Sequence, residues 1–151
     1  MNINKKFKIP NLSINGKFSS SSKIILKEKL RIIHKEIDRY FKNDSNKNLH
    51  SMRIAFRRFR YVLEIYSGCY ESNLFNKMLS RIKYMQDLIG KGRDLDVLES
   101  KVKDTEKLIK KKIPKYFYKQ IDKEKVETKQ TIKMELINFI IDKEINKLIK
   151  R

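Results

Sequence analysis

The segment LHSMRIAFRRFRYVLEIY, residues 49–66, concentrates cationic side chains. One histidine and four arginines fall between positions 50 and 60, namely His50, Arg53, Arg57, Arg58 and Arg60. Arginine presents a planar fork of donors that forms paired hydrogen bonds with phosphate oxygens, whereas lysine, the commoner cation of this chain, is a point charge. The residue types favour a surface that binds a phosphate-bearing anion. An ordinary helix face with solvated charges is the alternative.

Helical geometry divides this segment into two faces. At about 100° per residue, His50, Arg53, Arg57 and Arg60 share an arc of about 80° and form a row about 15 Å long. Arg58 lies off this row. The opposite face is expected to pack into the core and consists of Met52, Phe56, Phe59, Leu63 and Tyr66. Glu64 is the one acidic residue of the segment, so an anionic partner would relieve the repulsion among the arginines.

Apolar periodicity and turn residues predict about five helices. They cover residues 23–42, about 48–67, about 72–89, 94 to the residue before Pro114, and about 115–150, the last being one helix or two in tandem. Asn48 is expected to cap the second helix, Gly90 to end the third and Asp94 to open the fourth. No segment has a strand pattern and the connections are short, so the sequence predicts an all-α antiparallel helical bundle.

The periodicity also predicts the core outside the second helix. The first helix supplies Leu26, Leu30, Ile33, Ile37, Tyr40 and Phe41. The third supplies Phe75, Met78, Leu79, Ile82, Met85 and Ile89, and the fourth Leu95, Leu98, Val102 and Ile109. The last supplies Met134, Ile137, Ile141, Ile145 and Leu148.

Three further cations are candidate anion contacts. Lys77 and Arg81 share a narrow arc of the third helix, and they border one groove with the arginine row if that helix lies antiparallel to the second. Arg93, in LIGKGRDLDVL, residues 88–98, either reaches an anion or pairs with Asp96 across a turn. The Gly-x-Gly pattern there is typical of nucleotide-binding loops, but no strand precedes it, so a turn is the better interpretation.

The histidines and the cysteine do not predict a metal site. His50 adds a donor whose protonation varies near neutral pH, or is simply an exposed or capping residue. His34 flanks an apolar face and is expected to pack there. The two histidines lack acidic residues at ligand spacing, and the single cysteine, Cys69, excludes an intramolecular disulfide and a cysteine-based zinc site. We expect no metal and no cofactor.

Composition limits the classes of partner. The 151 residues include 37 basic and 18 acidic ones, a formal net charge of +19, which attracts nucleic acid, polyphosphate and anionic lipid. With 40% hydrophobic residues the chain is expected to fold. We expect an extended N-terminal arm over residues 1–22 and one bundle domain over residues 23–151. No membrane span or signal peptide is predicted, so we expect a cytoplasmic protein.

The two basic segments together resemble the CHAD family, the conserved histidine α-helical domain. The first segment matches in His50 and in the arginines that follow it, with an aliphatic residue directly after Arg53. The second matches in Leu88, Gly90, Arg93, Asp94 and Asp96. The resemblance extends over residues 49–98.

The resemblance implies an all-helical fold that binds inorganic polyphosphate along a basic groove and is not itself an enzyme. It assigns polyphosphate contacts to His50, Arg53, Arg57 and Arg60, with Arg58 a further candidate. It gives Arg93 and the two neighbouring aspartates chiefly structural roles. Family members often accompany a triphosphate-processing domain, so a separate enzyme of that kind is a candidate partner.

One departure from the family concerns its two similar helical halves, each of which carries its own basic motif. This sequence has one such motif. We therefore predict that two chains pair as a homodimer, or that this is a minimal single-bundle version.

Other functions stay open. A protein that binds RNA or single-stranded DNA would use the same charge but usually exposes aromatic side chains beside it, and only Tyr61 and Tyr84 are candidates here. A hydrolase would need carboxylates converging on the phosphate, which Asp94, Asp96 and Glu64 do not supply. The last alternative is a helical scaffold whose basic face is incidental.

Overall fold

The fold is a bundle of antiparallel helices. A computed structural model describes residues 9–13 and 15–145. The elements are α1 (Phe18–Lys42), α2 (Asn46–Ile65), a 3-10 helix (Ser67–Cys69), α3 (Ser72–Ile109) and α4 (Lys115–Ile141). The described residues contain no strand, so the predicted all-α bundle is confirmed. α1 begins inside the predicted N-terminal arm; residues 1–8 of that arm, and Leu148, lie outside the described residues.

The connection from α1 to α2 is fixed by side chains. Ser45 rather than Asn48 is the N-cap of α2, because its hydroxyl accepts a hydrogen bond from the Asn48 backbone N–H at 3.3 Å. The Asn48 side chain instead donates to the carbonyl oxygen of Asn43 at 2.8 Å. Asp44, in the same connection, accepts a 2.8 Å hydrogen bond from Lys133 of α4. The end of α1 and the start of α2 are therefore held in place relative to α4.

α3 is one continuous helix, so the predicted break at Gly90 and Asp94 is wrong. Its 38 residues extend over about 57 Å at 1.5 Å per residue. Neither Gly90 nor Gly92 has a positive φ. A Cβ added to Gly92 would lie 3.0 Å from Cδ1 of Ile132 and 3.3 Å from Cδ2 of Leu49. The small residues of this segment therefore permit close helix packing instead of forming a turn.

The helices pack in chain order, α1 on α2, α2 on α3 and α3 on α4. The core confirms the expected positions of α2 and of the first half of α3. The largest fully buried side chains are Tyr40, Phe56, Phe59, Phe139, Leu26, Ile33, Ile37, Met52, Leu63, Ile82, Met85 and Ile89. Phe41, which was also expected to be buried, is 40% exposed.

The expected core of the second half of α3 and of α4 is largely wrong. α4 buries Ile121, Thr128, Ile132, Leu136 and Phe139, while Met134, Ile137 and Ile141 are at least half exposed. Ile145 is buried as predicted. Gly92 of α3 is level with Leu49 near the start of α2, so α3 residues beyond that level project past α2. For this reason Leu98 and Ile109 remain exposed.

Candidate anion-binding surface

The cationic row of α2 lies along the edge that meets α3. His50 and Arg57 are exposed, whereas Arg53 and Arg60 are half-buried. Because Leu49 is close to Gly92 and Arg53 is close to Gly90, the two helices run antiparallel. We call the edge formed by His50, Arg53, Arg57 and Arg60 together with the adjoining face of α3 the α2–α3 surface.

Arg53 extends over the backbone of α3. A Cβ atom on Gly90 would lie 3.8 Å from Nε of Arg53, so the absence of a side chain at Gly90 leaves room for the guanidinium. The Nε atom is buried and has no hydrogen-bond partner among the described residues. A buried donor without a partner is costly, and an anion placed against it would satisfy it.

Arg60 is the member of the row that has a carboxylate partner. Its Nε donates to Oε1 of Glu64 at 2.9 Å. This hydrogen bond raises the pKa of Arg60, partial burial opposes the shift, and attraction to Glu64 and to Asp87 of α3 adds to it. Among the described residues, His50, Arg53 and Arg57 have no ion pair with an acidic side chain. Three of the four cations are therefore available to an external anion.

Arg58 faces away from this edge, in agreement with its off-row position in the sequence. It lines a cleft between α1 and α2 together with Lys29, Glu36 and Ser51. A ligand on the α2–α3 surface would therefore have to pass over α2 to reach Arg58.

Lys77 and Arg81 do not border the α2–α3 surface, so the expectation of a shared groove is wrong. Nη2 of Arg81 lies 3.1 Å from Oε2 of Glu135 on α4. Both cations line a cleft that also contains Asp142. Arg81 precedes Gly90 by nine residues, which at about 100° each is half a turn around the helix axis. The antiparallel arrangement was expected correctly, but the basic arc of α3 faces α4.

Arg93 lies on the correct face of α3 but does not form the predicted pair with Asp96. Asp96 is buried and contacts Nζ of Lys125 at 3.0 Å. With its amide oriented to donate, Asn46 also lies 3.0 and 3.2 Å from the Asp96 carboxylate oxygens. Arg93 is half-buried and follows Gly90 by three residues, about one helical turn, so the antiparallel register brings it level with His50. It therefore extends the α2–α3 surface at the α2 N-terminus.

Two residues that the sequence reasoning missed share this face of α3. Lys83 and Gln86 precede Gly90 by seven and four residues, which is helical spacing on one side. Lys83 is exposed and Gln86 is half-buried. The antiparallel register that joins Arg53 to Gly90 brings Lys83 level with Arg60 and Gln86 level with Arg57. Their spacing from Gly90 is the sequence signal that could have identified them.

Two properties of the described part of the chain limit its chemistry. No group of three or more histidine, cysteine, aspartate or glutamate side chains there could hold a metal ion. None of its helices is both long enough and apolar enough to cross a membrane.

Comparison with known proteins places the chain in a family. A family model described as the CHAD domain matches residues 7–103 of the 151. No curated protein and no solved structure matches the chain significantly. The matched range contains α1, α2, the basic segment of α2 and the LIGKGRDLDVL segment of α3. As it covers more than half of the sequence, this chain belongs to the CHAD family.

Proposed function

We propose that this protein binds inorganic polyphosphate along the α2–α3 surface, in the cytoplasm, without catalysing a reaction. The CHAD family is associated with binding of polyphosphate and triphosphate. The single observation that carries the proposal is the buried, unpartnered Nε of Arg53 beside Gly90. His50, Arg57 and Arg93 flank it and lack carboxylate partners among the described residues, so a linear polyanion finds several cations in succession.

The exposed side chains support a ligand without bases. Proteins that bind single-stranded nucleic acid usually stack bases on exposed aromatic rings next to their cations. Phe56 and Phe59 of α2 are fully buried, while Tyr61 is 52% exposed. One tyrosine offers little stacking surface along the row, which favours polyphosphate over RNA or single-stranded DNA.

The acidic residues support binding without hydrolysis. Phosphoryl transfer generally needs carboxylates that hold metal ions beside the phosphate. Glu64 is bonded to Arg60, Asp96 is buried against Lys125, and Asp94 is exposed on α3. These three groups do not converge on one point.

Binding of long-chain polyphosphate to the wild type and to Arg53→Ala/Arg57→Ala tests the proposal. If about five cations contact the ligand and nucleic-acid coefficients apply, log affinity should fall with log salt at a slope of about 3.5 to 4.5. The double variant should bind at least about tenfold more weakly, with a slope lower by about 1.4 to 1.8.

The control variant Lys119→Ala/Lys123→Ala removes the same charge from exposed positions of α4 and should bind like the wild type. Circular dichroism checks the fold of each variant. Equal losses in both double variants would mean that only net charge matters. RNA that displaces polyphosphate at physiological salt would favour the nucleic-acid alternative.

We further propose that two chains pair through α4, and that a separate triphosphate-processing enzyme is a partner. Met134, Ile137 and Ile141 are 66%, 51% and 65% exposed. Their spacing puts them on one side of α4, and an apolar stripe of this kind is the feature of the chain most suited to pairing. A minimal single-bundle protein that works as a monomer is the alternative.

A further inference from the structure

Gln86 carries a second buried polar atom without a partner on the α2–α3 surface. Its Oε1 atom has no hydrogen-bond partner among the described residues, and the same is true of Nε of Arg53. Gln86 and Gly90 are four residues apart and therefore lie on one face of α3. Arg53 rests against Gly90, so the two unpartnered atoms belong to facing sides of one helix contact.

The chemistry of these two groups points to a ligand oxygen. Buried polar groups are normally paired, and leaving one unpaired destabilises the folded state. A glutamine amide presents an acceptor at one end and two donors at the other, and a half-turn of the amide exchanges them. With the nitrogen turned toward the ligand, Gln86 offers a neutral donor beside the cationic donor of Arg53. Phosphoryl oxygens accept from both kinds of donor.

We propose that Gln86 is a specificity-determining residue that donates from its amide to a phosphoryl oxygen held by Arg53. This inference rests on the proposed polyphosphate function. Cations alone attract any polyanion of similar charge density. A neutral donor fixed between the levels of Arg53 and Arg57 adds a contact that depends on where the ligand places its oxygens. Gln86 would therefore favour polyphosphate over a linear polycarboxylate.

The test compares Gln86→Met with the wild type in binding polyphosphate and polyglutamate across a salt series. Methionine keeps the length of the side chain and removes both polar groups. Polyphosphate affinity should fall about tenfold, the effect of one lost hydrogen bond to a charged group. Because no cation is removed, the salt slope should stay unchanged, whereas Arg53→Met should lower it by about 0.7 to 0.9. Polyglutamate affinity should not change.

The exposed residue Gln130 of α4 supplies the matched control, Gln130→Met, which should bind polyphosphate like the wild type. Should Gln86→Met fail to fold, Gln86→Glu replaces it; we expect a loss greater than tenfold, because the carboxylate can pair with Arg53, and Gln130→Glu controls for the charge. Wild-type polyphosphate affinity in the Gln86 variant would overturn the inference, as would an equal loss toward polyglutamate. A wild type that binds no polyphosphate overturns the proposed function as well, so the two failures are distinguishable.

Discussion

Nε of Arg53 lies 3.8 Å from the position that a Cβ atom on Gly90 would occupy. This contact joins the first basic segment of the chain to the second, across the boundary of α2 and α3. It also distinguishes Gly90 from Gly92, where a Cβ would approach the core side chains Ile132 and Leu49 within 3.0 and 3.3 Å. One glycine therefore adjoins the candidate binding surface, while the other permits the close approach of three helices.

We predict opposite effects of alanine at the two glycines. Gly90→Ala should raise the free energy of unfolding by about 0.5 to 1 kcal/mol, since alanine is favoured inside a helix and 3.8 Å is an ordinary contact. Its polyphosphate affinity should stay within about twofold of wild type, because Arg53 need not move. Gly92→Ala should lower the free energy of unfolding by about 1 kcal/mol, because its methyl group crowds two buried side chains. Urea unfolding followed by circular dichroism measures both; equal stabilisation by the two substitutions would contradict the packing argument.

Neutralising Glu64 should strengthen polyanion binding. Glu64 bonds Arg60 at 2.9 Å, so a polyphosphate chain must compete with this carboxylate for the guanidinium. Glu64→Gln should raise polyphosphate affinity by about twofold to fivefold, the range expected from one exposed ion pair. Fluorescence titration at several salt concentrations measures the change. Glu127→Gln removes the same charge from an exposed position of α4 and should have a smaller effect; a comparable gain would mean that net charge alone is responsible.

Sequence patterns predicted α2 well because its apolar and basic residues separate cleanly. Met52, Phe56, Phe59 and Leu63 leave a single choice of buried face, and all four are fully buried. The same kind of reasoning failed for α4, where two apolar stripes compete. Periodicity identifies both stripes, but only contact with α2 and α3 decides which of them is buried.

The site was predicted only in part for a related reason. Gly90 and Asp94 have the residue types of a helix end and a helix start, yet α3 continues through both. Local preferences for a turn were overridden by packing between neighbouring helices. The faces of Lys77 and Arg81 were misplaced because the relative rotation of two helices cannot be obtained from either helix alone. Arg58 was placed correctly, since its angle is measured within one helix.

Removing Lys125 should destabilise the fold. Nζ of Lys125 contacts Asp96 at 3.0 Å and Glu99 at 2.6 Å, and the Asp96 side chain is only 4% exposed. Lys125→Met would leave a buried carboxylate with Asn46 as its remaining neighbour. The free energy of unfolding should fall by about 2 to 3 kcal/mol, toward the lower end for a broken buried pair because Lys125 is partly exposed.

Thermal and urea unfolding measure this loss, with Lys123→Met at an exposed position of α4 as the control. Adding Asp96→Asn to Lys125→Met should restore part of the stability, because it removes the uncompensated charge. If Lys125→Met is as stable as its control, the buried pair has no structural role.

The contact between Asp44 and α4 should make stability depend on acidic pH. The hydrogen bond from Lys133 lowers the pKa of Asp44, burial opposes this shift, and Lys129 lowers the pKa further. Because the folded-state pKa lies below the unfolded value of about 3.9, the contribution is complete above pH 4 and is lost as pH falls through the folded-state pKa. Asp44 is about one-third exposed, so solvent screening keeps this contribution below about 1 kcal/mol.

Asp44→Asn should therefore be less stable than wild type at pH 7 and equally stable near pH 2. Urea unfolding across this pH range measures the difference in free energy between the two proteins. Asp38→Asn, at an exposed position of α1, is the control and should follow the wild type throughout. A difference for Asp44→Asn that persists unchanged at pH 2 would mean that the loss does not come from the ionised carboxylate.

Pairing through α4 predicts an oligomeric state that a single charge should change. Met134, Ile137 and Ile141 expose apolar surface on one side of the helix, so wild type at micromolar concentration should sediment as a dimer. Ile137→Lys should shift it to a monomer, because a desolvated lysine at the centre of the stripe would oppose its own copy. Leu108→Lys, where the wild-type leucine is 82% exposed near the end of α3, is the matched control and should leave the dimer intact. Sedimentation velocity distinguishes these outcomes: a monomeric wild type would favour the single-bundle version, and dissociation by both substitutions would move the interface away from α4.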